Sequence, residues 1–145
     1  MFEFGNDGPS IILVGVDGSE TSYRAAAYSA GLARRHNARL VALFVHTLGG
    51  LAAASPSAIA GIRESNAATA AQLREAAEVE GARIGLTVAF VEREGNPFQE
   101  LVRLADELRP DLIVIGASTR MSHRFVGSLG LHLVKLARWP VTVVP

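Results

Sequence analysis

The sequence predicts an α/β domain built on a single doubly wound, five-stranded parallel sheet, and three observations lead there. Five short, apolar, β-branched runs occur along the chain, and segments with helical character separate them. Each intervening segment is long enough to cross from one parallel strand to the next, which favours right-handed crossovers. At 145 residues and 49% hydrophobic, the chain supports one continuous layered core and leaves no room for a second domain, so residues 1–145 are read as one unit.

The first strand is Ser10 to Val16, almost wholly apolar, as expected of a strand covered on both faces. Asp17-Gly18-Ser19 turns the chain, and Ser19 is placed to cap an alanine-rich helix with Glu20 in its first turn, ending near Asn37. Arg39 to Val45 is a second strand, and Leu86 to Glu92 a third, whose polar alternation suggests a sheet edge. Between them a long helix is expected from about Ala58 to Glu80. It follows an uncharged stretch around 47–57 that reads equally as a mobile flap or as a disordered surface loop.

Gly95-Asn96-Pro97 then starts another helix, with Asn96 as cap, Pro97 at the first helical position and Gln99 completing a capping-box-like pair. Phe98, Leu101, Val102, Ala105 and Leu108 form its apolar face, and Arg109-Pro110 ends it. Asp111 to Ile115 is the fourth strand, Ser128 to Arg138 the last helix with Leu129, Leu133 and Leu136 inward, and Val141 to Val144 the fifth strand.

Composition excludes several functions. Fourteen basic residues balance fourteen acidic ones, so the charge excess needed to grip nucleic acid is missing. The absence of cysteine removes disulfides, thiolate catalysis and sulfur-ligated metal sites, and fits a reducing compartment. Neither a signal peptide nor a membrane-spanning run is visible; the expectation is a soluble cytoplasmic protein with no nucleic-acid or membrane partner. The four histidines are scattered without zinc-ligand spacing, so no metal site is expected beyond a divalent ion carried in by a phosphate.

Ligands of doubly wound sheets bind at the carboxyl ends of the strands, where strand order reverses. Asp17, Val45 with His46, and Gly116 stand at those ends. Asp17 reads equally as a turn-former and as an acceptor for a ligand's ring or ribose. After the fourth strand, a polar loop leads to Gly127-Ser128 at the start of a helix, where unpaired backbone amides provide an anion site. Arg120, His123 and Arg124 crowd that loop and could neutralise phosphate; a solvated loop is the plain alternative. The chain has neither a P-loop nor a Gly-x-Gly-x-x-Gly after its first strand. Gly116-Ala-Ser-Thr-Arg120 starts like a nucleophile elbow, but Arg120 replaces the final glycine and no suitable His-acid pair follows.

Val14-Gly-Val-Asp-Gly-Ser19, Gly95-Asn-Pro97, Asp111-Leu-Ile-Val-Ile-Gly116 and Gly127-Ser128 through Pro145 together resemble the universal stress protein family over nearly the whole chain. The resemblance implies strand order 3-2-1-4-5 of the adenine nucleotide alpha hydrolase-like type, a homodimer, and membership of an ATP-binding or a non-binding subtype. By the same resemblance, Asp17 and Val45 hold adenine and Gly116, Gly127 and Ser128 contact ribose and phosphates, with Val16, Ser118, Thr119 and Leu129 also assigned to the nucleotide site. The fifth strand, Val141, Thr142, Val143 and Val144, is the implied dimer seam, and an unpaired apolar edge strand is in any case an aggregation hazard. The chain departs from the ATP-binding pattern at two points: Thr119 stands in place of a glycine, and seven residues rather than nine separate it from Gly127.

The first expectation is therefore a homodimeric stress-response protein that binds ATP, with or without magnesium, and acts through nucleotide-dependent conformation or partner binding. The second is a nucleotide-free dimeric interaction module of the same family. No general base or arginine finger is identifiable, so any hydrolysis should be slow. A third reading, a nucleotide-handling enzyme, requires a second substrate pocket, for which the length leaves little room. Gly127→Val is expected to abolish ATP binding with fold and dimer intact, and Val143→Lys to weaken the dimer.

Overall fold

A computed structural model describes residues 8–49, 55–118 and 127–145. The elements run β1 Ile11–Val16, α1 Glu20–His36, β2 Arg39–His46, α2 Pro56–Ile84, β3 Val88–Glu94, α3 Pro97–Leu108, β4 Leu112–Gly116, α4 Gly127–Leu136 and β5 Val141–Val144. All strand pairs are parallel and the order is β3-β2-β1-β4-β5, as the family resemblance implied. The order reverses between β1 and β4, which places the topological switch at the heart of the sheet.

Alternate residues of the central strands point to opposite faces and build two cores. Ile12, Val14, Leu40, Ala42, Phe44 and Val114 face α1 and α2. Leu13, Val41, Leu43, Ile113 and Ile115 face α3 and α4. These runs are hydrophobic throughout because both faces are covered. β3, at one edge, is only half-buried, as its polar alternation predicted.

Several boundaries differ from the sequence reading, each for a local reason. α2 extends beyond 58–80 at both ends: Ser55 caps it with Pro56 at the first helical position, and Gly85 closes it in the left-handed conformation. Leu86 N–H donates to the Gly81 carbonyl at 2.8 Å, so Leu86 and Thr87 belong to the turn and β3 starts at Val88. On α3, Leu104 is buried with Leu101 and Ala105, whereas Phe98, Val102 and Leu108 are half-buried at its margin. α4 stops at Leu136 because Ala137 adopts a left-handed backbone. That end leaves Leu136 38% exposed rather than inward, while Leu133 is fully buried as expected. Of the uncharged connection, residues 50–54 lie outside the described residues.

A candidate nucleotide cavity at the strand carboxyl ends

α1 begins with a polar hydrogen-bonded turn. The Asp17 carboxylate accepts from Ser19 N–H at 2.8 Å, and the Ser19 hydroxyl accepts from Ser22 N–H at 3.2 Å. Ser19 is thus the cap that the sequence predicted. The Ser22 hydroxyl donates to the Ser19 carbonyl at 2.9 Å and accepts from Asp17 N–H at 3.3 Å. Asp17 therefore fulfils its turn-forming role through one oxygen while remaining exposed at the end of β1.

β4 ends hard against this turn. The Thr21 hydroxyl donates to the Ala117 carbonyl at 2.7 Å, and a Cβ on Gly116 would lie 2.5 Å from the Thr21 carbonyl carbon. Gly116 is glycine because the first turn of α1 crosses β4 there. At the start of α4, Gly127 has φ +76°, and a Cβ on it would lie 2.8 Å from Ser118 Cβ. Ser118 and Gly127 thus touch, and the chain between them leaves and returns at one point. The expectation that Gly127→Val spares the fold is corrected on both counts, since a β-branched residue tolerates neither the positive φ nor the contact.

One cavity of about 980 Å³ opens over these ends. Val16, Asp17, Val45, Gly116, Ser118, Gly127, Ser128 and Leu129 all line it. The geometry gathers these eight residues from β1, β2, β4, the segment after β4, and α4. Thr119 falls outside the described residues, as do Arg120, His123 and Arg124. Val141 to Val144 are half-buried along the β5 edge and do not line the cavity.

Residues from the far side complete the walls. Asn96, Phe98 and Gln99 come from the start of α3, His132 stacks edge-on to Phe98 with ring centroids 5.4 Å apart, and Asn66 reaches over from α2. Asn66 Nδ2 donates to the Thr47 carbonyl at 3.0 Å, tying α2 to the exit of β2. Asn96 and Phe98 were within reach of the sequence, because they follow a strand end directly. Asn66, in the middle of a long helix, carried no such signal.

Among the described lining residues Asp17 bears the only formal charge of an Asp, Glu, Lys or Arg side chain. An anion here meets the first amides of α4, which lack intrahelical partners and carry the positive end of the helix dipole. Hydroxyls of Ser118 and Ser128 stand beside them. Apolar walls from Val16, Leu43, Val45 and Ile115 suit a flat ring rather than a second anionic group. The lining and the size leave room for a nucleotide. No group of three His, Cys, Asp or Glu side chains capable of holding a metal occurs among the described residues. No helix among them is long and apolar enough to cross a membrane.

A universal stress protein of Methanocaldococcus jannaschii is 28% identical over 140 residues, covering 92% of this chain and 80% of that protein. The crystal structure of a universal stress protein family member from Burkholderia pseudomallei is 29% identical and superposes with a TM-score of 0.73 over 97% of this chain and 98% of its own. An Arabidopsis thaliana family member with AMP bound shares the fold at 24% identity and a TM-score of 0.68, covering 94% of this chain and 91% of its own. The model of the universal stress protein family matches residues 10–145, and the chain belongs to that family.

Proposed function

We propose that the protein is a homodimeric, cytoplasmic stress-response protein that binds ATP, as its magnesium complex, in the cavity at the strand carboxyl ends. The observation that carries this reading is that eight residues which the family resemblance assigns to the nucleotide, from Val16 to Leu129, line one cavity roomy enough for a nucleotide. In this reading adenine lies against Val16, Asp17 and Val45, and the phosphates face the start of α4. Binding energy would be used to present a nucleotide-dependent surface, with hydrolysis slow or absent. The AMP-bound Arabidopsis relative supports the reading, since it holds an adenine nucleotide on the same fold.

The test combines analysis of nucleotide released from the denatured protein with calorimetric titration of ATP and magnesium. Stoichiometric ATP or micromolar binding is expected. Ser128→Asp provides a sharp control: Ser128 is exposed in the first turn of α4, where an acidic residue favours the helix yet repels phosphate. The variant should melt no lower than the parent and bind ATP at least about tenfold more weakly, a loss of about 1.4 kcal/mol. Equal affinity would remove the phosphates from α4. Absence of both co-purified nucleotide and binding heat would leave the nucleotide-free interaction module.

A further inference from the structure

We propose that the protein has a second binding site, a groove between α1 and α2 that takes a monomeric anionic amphiphile of the fatty-acid type. The length of the chain gave no reason to expect a second pocket, yet one of about 460 Å³ is present. It lies on the α1/α2 face of the sheet, and Val16 is the one residue it shares with the nucleotide cavity.

Its walls are two stripes at helical spacing. α1 contributes Ala26, Ala27, Ala30 and Gly31, and α2 contributes Leu73, Ala76, Ala77 and Ile84. The floor is Val14, Leu40, Ala42, Val88 and Phe90. Such small side chains do not fill the space between the helices, and a Cβ built on Gly31 meets nothing within 4 Å. From Tyr23 to Arg34 the α1 wall runs about 16 Å at about 1.5 Å per residue. A helix of that length, about 10–12 Å across, displaces far more than the groove's volume. An alkyl chain is thin enough, and these surfaces offer it only apolar contact.

The charges sit at one end and choose the head group. Arg34 and Arg83 line the groove with one acid, Glu80, which pairs with Arg83 at 2.7 Å. Arg34 makes no ion pair with any described residue. Near this end the Ala33 carbonyl accepts from the Asn37 and Ala38 amides, and the Gly81 carbonyl from the Leu86 amide. A carboxylate near Arg34 with its chain running toward Tyr23 satisfies charge and shape together. This polar end lies at the amino-terminal edge of the sheet, away from the nucleotide cavity, so the proposal stands whether or not ATP binds.

The experiment is calorimetric titration of nucleotide-free protein with dodecanoate below its micellar concentration, with dodecanol as the uncharged comparator. Saturable binding of about one dodecanoate per chain is expected, as for a single preformed pocket. Gly31→Phe places a ring into open space and should weaken binding at least about tenfold with the circular dichroism spectrum unchanged. Should that variant fold poorly, Ala27→Leu obstructs the same wall from an exposed position. Arg34→Glu should weaken dodecanoate about tenfold and leave dodecanol unaffected. No saturable heat with the parent, undiminished affinity in the folded wall variant, or equal response of both ligands to Arg34→Glu overturns the proposal.

Discussion

Gly116 and Gly127 stand out in the sequence as a phosphate signature, and each occupies its position for a reason of chain packing. At Gly116 a single methyl would collide with the backbone of Thr21, which neither end can yield without moving α1 off β4. Gly116→Ala should therefore cost about 1–3 kcal/mol through overpacking. A urea midpoint unchanged from the parent would show that the contact relaxes freely. The positions were legible because Gly116 ends a strand and Gly127 precedes Ser128 at a helix start; their reasons were not, since the crossing partner of Gly116 is 95 residues away in sequence. Asp17 shows the same division. Its turn-forming role is local and was readable from Asp-Gly, whereas its place on a cavity wall depends on β2 and α4 being folded around it.

At the scale of elements, the second helix is fastened to the outer strand by a small polar cluster. Arg74 lies 4.7 Å over the Phe90 ring and pairs with Glu92 at 2.5 Å, and Glu92 also meets His46 Nε2 at 2.9 Å. The Arg74 hydrogen bond, followed by that of His46, holds the Glu92 carboxyl below its ordinary value of 4.5. A lowered folded-state value means that the contribution is present above 4.5 and is lost as pH falls through the folded value. With the Glu92 side chain 34% exposed, water and salt screen the pair to about 0.2–1 kcal/mol. Glu92→Gln should thus destabilise by that amount at neutral pH and by nothing once the parent's carboxyl is protonated. A difference that persists undiminished in acid would assign the effect to packing. None of this cluster was legible beforehand, because Arg74 and Glu92 face each other only after α2 crosses back over the sheet. The helix itself was expected from about Ala58 to Glu80, while its true ends depended on the caps Ser55 and Gly85 outside that span.

For the whole molecule, the two sheet edges differ in kind. β3 ends in Glu92-Arg93-Glu94, and each of these is paired, to Arg74, Glu107 and Arg63 respectively. Such charges protect an edge from further strand pairing. β5, Val-Thr-Val-Val, carries none and pairs on one side with β4. The homodimer we propose therefore forms through β5, and Val143→Lys should shift sedimentation at micromolar concentration from dimer toward monomer through an unpaired charge at the seam. Unchanged sedimentation would place the interface elsewhere. Strand identity was legible from the short β-branched apolar runs, and the exposed character of β3 from its polar alternation. The order of the strands was not, because every strand pairing spans an intervening helix; it came from the family resemblance.

The contact between Ser118 and Gly127 separates architecture from loop length. Because Ser118 and Gly127 touch, the entropy of closing the chain between them changes only slowly with its length, by about 0.6 kcal/mol per doubling. The two-residue contraction in this sequence is therefore a small perturbation to the scaffold, whatever it does to a ligand. An epitope or a reporter peptide spliced between those anchors should leave the sheet folded, which makes the junction a natural point of insertion for engineering.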